Sequence, residues 1–351
     1  MSKFMKALGV SLTLAALAAV SPLFATGEQE APAVANTFAG KNVRVVIGST
    51  ATAGDSYLIA ETVSRHLAKA LNANLKVDAV GAAVALDAMQ TSKPDGNTIM
   101  MFHDMTYLGV SFKAYDDIYK LENMVVGPRI AQNPVAAWAT YLDAPYNNMV
   151  EVADYLKANP SATVRFACEA GGVSHIGFIS YYEWVRENYG KDVASRVVVV
   201  IGGSTGDKIQ KLIDRNADVI FADYTSLLDY TRTTDKKIAM KFTGLLDNVE
   251  GVSVPSYADL GITGKDGKPF RFSKDFLIYL PKDFPADLLA ELDAGMATVS
   301  ADPLFKADLG KMSYRPAYLN AVDAKKFIYG KRDSLQSLID AAPSLDDLVQ
   351  Q

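Results

Sequence analysis

The stretch VVVVIGGSTGDKIQKLIDRNADVIFADY, residues 197–224, decides how the rest of this chain is read. It opens on a β-branched run, 197–201, which suits a strand buried on both faces. Gly202, Gly203 and Gly206 loosen the backbone that follows. Ser204 and Thr205 stand between them as N-cap residues, and Asp207 falls in the first helical turn, where the dipole favours an acid. Ile209, Leu212 and Ile213 come next at helical spacing, so one face packs on a sheet. Asn216 is placed to end the helix in a left-handed conformation. A second apolar strand, 219–222, runs to Asp223 and Tyr224. Strand, glycine loop, helix and strand make one right-handed βαβ unit. Sheets of this kind bind ligands outside the carboxyl ends of their strands. Two contact regions therefore share an edge: the loop 202–207, and Asp223 with Tyr224.

The same device recurs on either side. Strand 43–47 leads into the loop GSTATAGDS, 48–56, and an amphipathic helix, 57–71, carrying Leu58, Ala60, Val63 and Leu67. Strand 75–80, a short helix 84–89 and the turn Pro94-Asp95-Gly96-Asn97 follow, proline fixing φ and glycine supplying φ > 0. Strand 98–102 then ends at His103, Asp104 and Thr106, so this half reads βαβαβ. Segments 124–130 and 135–140 are extended, with Pro128 and Pro134 against helix. Helix 148–158 stops at Asn159-Pro160. Strand 163–168, the glycine loop EAGGVS at 169–174 and an aromatic helix 175–189 precede the opening unit. Strand 238–243, a polar turn region 261–268, strand 276–280 and a helix from Pro285 come after it. The chain thus reads as two α/β halves crossed near 130 and near 245: a discontinuous first domain, 37–130 plus 245–351, and a second, 131–244. Two crossings make a hinge with a cleft between the halves.

The 351 residues, 49% hydrophobic and 21% charged, are enough for two globular cores. Net charge is −5 and no basic run occurs, which excludes nucleic acid as a partner. Lys3 and Lys6 precede an apolar run, 7–20, and then Ser21, Pro22 and Leu23-Phe24-Ala25. That is a signal peptide, 1–25, followed by a flexible leader, 26–36, so the protein is expected to be exported. No cysteine follows the apolar run, so none is there to carry a lipid. Cys168 is the only cysteine, so no intramolecular disulfide forms.

Three strand–loop–helix junctions aim backbone N–H groups and a positive helix end at the space beyond a sheet, which is an anion site without arginine or lysine. The first carries Ser49, Thr50, Thr52, Ala53, Gly54, Asp55, Ser56 and Tyr57. The second carries Glu169, Ala170, Gly171, Gly172, Ser174 and His175, and the third Gly203 and Ser204. His103, Asp104 and Asp223 end neighbouring strands and complete the candidate ligand set. Residues 202–206 also fit the nucleophile elbow G-x-S-x-G, so an exported serine hydrolase using Ser204 is the alternative. Its usual order puts the histidine after the serine, whereas His66, His103 and His175 all precede Ser204. Cys168 with His175 as nucleophile and base is a further pairing, although Cys168 reads better as a small apolar strand end. His175 either caps its helix or faces the cleft. His66 reads as structural, and Phe178, Tyr181, Tyr182 and Trp184 as core and surface of one helix. The histidines and the cysteine lack metal-ligand spacing, and there is neither a G-x-G-x-x-G nor a P-loop, so no metal or cofactor is expected.

Taken together, the Pro-Asp-Gly turn (94–96), the glycine loop ending in His175, the stretch GGSTGDKIQKLIDRNADVIFAD and the segment VPSYADLG at 254–261 resemble the solute-binding receptors of tripartite tricarboxylate transporters, the Bug-type periplasmic proteins. An apolar strand before a proline, 276–284, and a late Asp302-Pro303 fall where that family has them. The likeness runs from about 43 to about 339. The resemblance implies an α/β, two-domain periplasmic binding protein, a Venus flytrap of type II-like form with two interdomain crossings. It implies a periplasmic, monomeric, non-enzymatic receptor that closes on a small di- or tricarboxylate and delivers it to integral-membrane permease subunits. Carried over by position, the family's first loop falls on Ala53 to Tyr57, its second on 81–84, its strand-end serines on His103 and Asp104, its second-domain glycine loop on 168–174, and its strand-end Asp on Asp223. Tyr57 stands where the family has Asp. Tyr57, His103, Asp104 and Glu169 would make this cleft bulkier and more ionisable. Glu169 and Asp104 would repel a dicarboxylate unless it arrives with an amine, a water bridge or a cation.

Overall fold

The computed structural model describes residues 37–52, 54–134 and 136–349. The expected signal peptide and leader, together with Ala53 and Val135, lie outside the described residues. The elements run β1 (Asn42–Ile47), α1 (Asp55–Leu71), β2 (Asn74–Ala79), α2 (Ala82–Thr91), β3 (Thr98–Phe102), α3 (Met105–Ser111), β4 (Val125–Asn133), β5 (Ala136–Tyr141), α4 (Met149–Ala158), β6 (Val164–Cys168), α5 (Val173–Tyr189) and α6 (Lys191–Ala194). They continue with β7 (Val197–Ile201), α7 (Thr205–Ile213), β8 (Val219–Asp223), α8 (Tyr224–Arg232), β9 (Met240–Leu245), β10 (Lys274–Leu280), α9 (Ala286–Ala301), α10 (Pro303–Lys311), β11 (Arg315–Leu319), α11 (Ala321–Ala341) and α12 (Leu345–Leu348).

The strands form two sheets, ordered β11-β4-β10-β3-β1-β2 and β7-β6-β8-β5-β9. In the first, β1 is parallel to β2 and β3, and β10 runs antiparallel to β3 and β4. In the second, β6 is parallel to both β7 and β8, and β5 is antiparallel to β8 and β9. Every residue of β10, KDFLIYL, is buried, as befits a central strand covered by helices on both faces. Strands carry the chain from the first sheet to the second between β4 and β5, and back again between β9 and β10. The α/β two-domain binding-protein fold is therefore present. The last helix returns to the second sheet: α12 packs on β7, with a parallel bridge between Val199 and Val349.

Several local readings need correcting. The run 197–201 is a sheet edge rather than a strand buried on both faces; Val198 and Val200 are half-buried and Ile201 is 44% exposed. The left-handed residue after α7 is Arg215, φ 60°, one place before Asn216. Helix α1 starts at Asp55, two residues early, and Ile59 rather than Leu58 faces the core. Helix α5 starts at Val173, not at His175. Strand β4 keeps its pairing in the first sheet as far as Asn133, and β9 pairs with β5 in the second sheet as far as Leu245.

Candidate functional site

The N-termini of helices from both sheets meet around one cavity of about 630 Å³. Gly54, Asp55 and Ser56 begin α1, Gly81 and Ala82 begin α2, and His103 and Met105 lead into α3 on the first sheet. Val173 and Ser174 begin α5, Gly203 to Gly206 begin α7, and Asp223 precedes α8 on the second. Each helix start leaves N–H groups without intrahelical partners and carries partial positive charge. The junction at α7 is a reciprocal cap. Ser204 Oγ accepts from the Asp207 N–H at 3.1 Å, and Asp207 Oδ2 accepts from the Gly203 N–H at 3.0 Å.

An ion triad ties the two sheets at the cavity wall. Lys274, at the start of β10, pairs with Asp55 of α1 and, at 2.8 Å, with Asp223 at the end of β8. Asn133, the last residue of β4, also donates to Asp223, at 2.7 Å. Burial would raise the Asp55 carboxyl, but Lys274 beside it holds it below the usual carboxylate range. Burial and the neighbouring Asp55 push Asp223 up to about 6, against Lys274. Burial would lower the Lys274 ammonium, yet its two carboxylates keep it above its ordinary value.

His103 lines the same cavity. Its Nδ1 accepts from the Met105 N–H at 3.2 Å, so the ring proton sits on Nε2. Burial, with Lys274 adding to it, pushes the imidazole down to about 3, and the ring is therefore neutral at physiological pH. Glu169 is half-buried at the rim of the second sheet, and burial raises its carboxyl. Lys208, on the inward face of α7, is 4% exposed, and its ammonium stands over the Phe221 ring at 5.6 Å.

Of the residues expected from sequence, the cavity brings together Ser49, Thr50, Gly54, Asp55, Ser56, His103, Glu169, Ser174, Gly203, Ser204 and Asp223. Thr52, Tyr57, Asp104, Ala170, Gly171, Gly172 and His175 do not line it, and Ala53 lies outside the described residues. Tyr57 turns along α1 toward Glu61. Asp104 is fully buried below the cleft and accepts from the Tyr107 hydroxyl at 2.9 Å and from the Asp275 N–H at 2.6 Å. Lys331 of α11 pairs with both Asp104 and Asp275, and Arg129 pairs with Asp275. Asp104 therefore braces α11 against the first sheet and adds no charge facing a ligand. His175 is buried where the two lobes touch. Its ring stacks on Phe112 at 3.7 Å, and its Nδ1 accepts from the Gly171 N–H at 3.2 Å. Cys168 is fully buried and burial pushes its thiol up, so it is an inert strand end. Among the described residues no histidine bonds to Ser204. His66, as expected, is structural, held between Asp302 and Asp308.

The reading from sequence missed the two lysines. Lys274 stands, with Asp275, just ahead of the apolar run that marked its strand. Lys208 lies between Asp207 and Lys211 and resembles a solvated face. One signal was available: 208, 209 and 212 share a helical stripe, so Lys208 keeps company with the buried Ile209 and Leu212.

The family model for the tripartite tricarboxylate transporter family receptor matches residues 57–343. Among solved structures, the chain superposes on a periplasmic transporter with a TM-score of 0.68 at 17% identity, over 86% of this chain and 97% of the other. MatC from Rhodopseudomonas palustris with bound malate gives 0.67 at 15% identity, over 85% and 98%. A second R. palustris protein, solved with adipate, gives 0.69 at 12% identity, over 85% and 96%. At these identities the superpositions speak for the fold alone. No curated protein sequence matches the chain. Among the described residues no helix is long and apolar enough to cross a membrane. With the matched segment running from the first helix to the end of the last long one, the chain belongs to the tripartite tricarboxylate transporter receptor family.

Proposed function

We propose that the chain is the extracytoplasmic receptor of a tripartite tricarboxylate-type secondary transporter. It closes on a small organic carboxylate and hands it to integral-membrane permease subunits. The observation that carries this reading is the convergence of helix N-termini from both sheets on one cavity of about 630 Å³. Backbone N–H groups at those ends are anion ligands in place before the ligand arrives. The malate and adipate held by MatC and the second R. palustris protein point to the same ligand chemistry. Ser49, Thr50, Gly54, Ser56, Ser174, Gly203 and Ser204 supply polar contacts, and neutral His103 donates from Nε2. The mature chain works in the periplasm as a monomer, with the signal peptide removed near Ala25. The first lobe runs to the end of β4 at Asn133 and resumes after Leu245, and the second takes the segment between them together with α12. As a receptor it turns nothing over.

Calorimetric titration of ligand-stripped protein with C4 to C6 carboxylates tests the reading. Saturable one-site binding is expected, with a smaller radius of gyration at saturation in small-angle scattering. Turnover of simple esters that vanishes in Ser204→Ala, with no carboxylate bound, would establish the hydrolase instead.

A further inference from the structure

The cleft holds one charge that no group among the described residues answers. Lys208 is 4% exposed and lines the cavity, yet among the described residues its ammonium makes neither a hydrogen bond nor an ion pair. The methylenes pack over Gly202, where a Cβ would lie 2.4 Å from Lys208 Cγ, so the stem is held and the head is aimed. The face of Phe221 at 5.6 Å stabilises a cation but accepts no conventional hydrogen bond. A desolvated ammonium without an acceptor is costly, and an incoming carboxylate removes that cost.

Glu169 stands on the neighbouring loop. Its backbone N–H donates to Ser174 Oγ at 2.8 Å, but among the described residues its carboxylate has no donor. Lys208 is the cation that acts on Glu169 most strongly, yet the two form no ion pair. Asp55 and Asp223 share the single ammonium of Lys274. The cavity therefore presents an unpaired ammonium together with more carboxylate than its lysines neutralise. A plain dicarboxylate satisfies Lys208 and then meets like charge. A molecule with one carboxylate and one ammonium satisfies Lys208 and Glu169 together.

We infer that the ligand is an amino acid or another small amino-carboxylate, its carboxylate on Lys208 and its ammonium on Glu169. The inference rests on the receptor reading above and narrows it. Matched probes separate the two: succinate with aspartate, glutarate with glutamate, and butyrate with 4-aminobutyrate, titrated calorimetrically at pH 7.5 into ligand-stripped protein. The amino member of at least one pair is expected to bind about tenfold or more tightly than its partner, the size of one charge-assisted contact. Glu169→Gln should collapse that ratio toward one, and Lys208→Met should weaken every carboxylate by about tenfold or more. Unliganded melting temperatures confirm that both variants fold. If the amine-free member binds as tightly in every pair, or if the ratio survives in Glu169→Gln, the amino-carboxylate inference falls and the receptor reading stands. If no member of any pair binds, both fall.

Discussion

Two histidines that stay neutral in the folded chain until well below their ordinary range set its response to acid. Burial pushes His103 down to about 3 and His175 down to about 4. An unfolded histidine titrates near about 6.5. Below that pH the unfolded chain takes up protons that the folded chain refuses, so stability is full above about 6.5 and is lost as pH falls toward the folded values. His175 alone is worth up to about 3 kcal/mol across that window. Asp223 acts in the opposite sense between about 4 and 6, because its folded carboxyl binds the proton more tightly than the unfolded one. Asp55, held below the usual range by the same lysine, acts only below about 4 and so leaves this window untouched, but each of the two histidines is moved further from its ordinary value than Asp223. The histidines therefore set the sign. Melting temperature should fall steadily from pH 7 to pH 4.5, and His175→Gln should flatten that slope while starting lower, having lost its stack on Phe112. An unchanged slope would mean that the ring already takes up its proton when folded. Ser204 carries a smaller, separate term. Ser204→Ala removes the α7 cap at a cost of about 1 kcal/mol, read as a melting temperature lower by about 2 °C with the fold intact.

At the scale of elements, the contact between lobes depends on close backbone approach. Gly171 has φ +70°, and a Cβ there would lie 2.9 Å from both the Ala114 Cβ and the Gly109 Cα. Gly171→Ala combines a left-handed alanine with a clash against backbone, and should cost about 2 kcal/mol or more in a urea melt. It should also raise the solvent exposure of His175, readable by histidine exchange or NMR. Most of the order of elements as far as β10 was legible in the sequence because apolar periodicity and Gly, Pro and Asn punctuation are local signals, but α3, α8 and β11 were not read. The three glycine junctions were legible for the same reason, and all three contribute to the cavity. Sheet order was not. That β7 is an edge follows from β8 pairing on the far side of β6, a long-range fact absent from VVVVI itself. Side-chain direction was also hidden. Asp104 and His175 lie next to cavity residues in sequence, but both point into packing between elements, whereas Lys208 and Lys274 come into the cleft from segments that read as a solvated face and a strand start.

For the molecule as a whole, the two sheets are joined at three places rather than by the two strand crossings alone. Helices α11 and α12 form the third, with Leu345 and Leu348 each 8% exposed against the second lobe. Replacing both leucines with alanine should destabilise by about 4 kcal/mol or more if each behaves as a core leucine. Limited proteolysis should then cut near 342–344 well before the rest of the chain. A melting temperature unchanged in that double variant would show the C-terminal helix to be a passenger.

That third joint gives the protein a practical use. The chain begins its first sheet on one lobe and ends on the other, and its only cysteine, Cys168, is sealed in the core. Cysteines introduced at two exposed positions, Lys76 on β2 and Asp347 on α12, would take dyes without competition from the native thiol. The pair sits on elements of the two different sheets, so the proposed closure would register as a change in energy transfer, and the receptor would become its own optical sensor for whatever it carries.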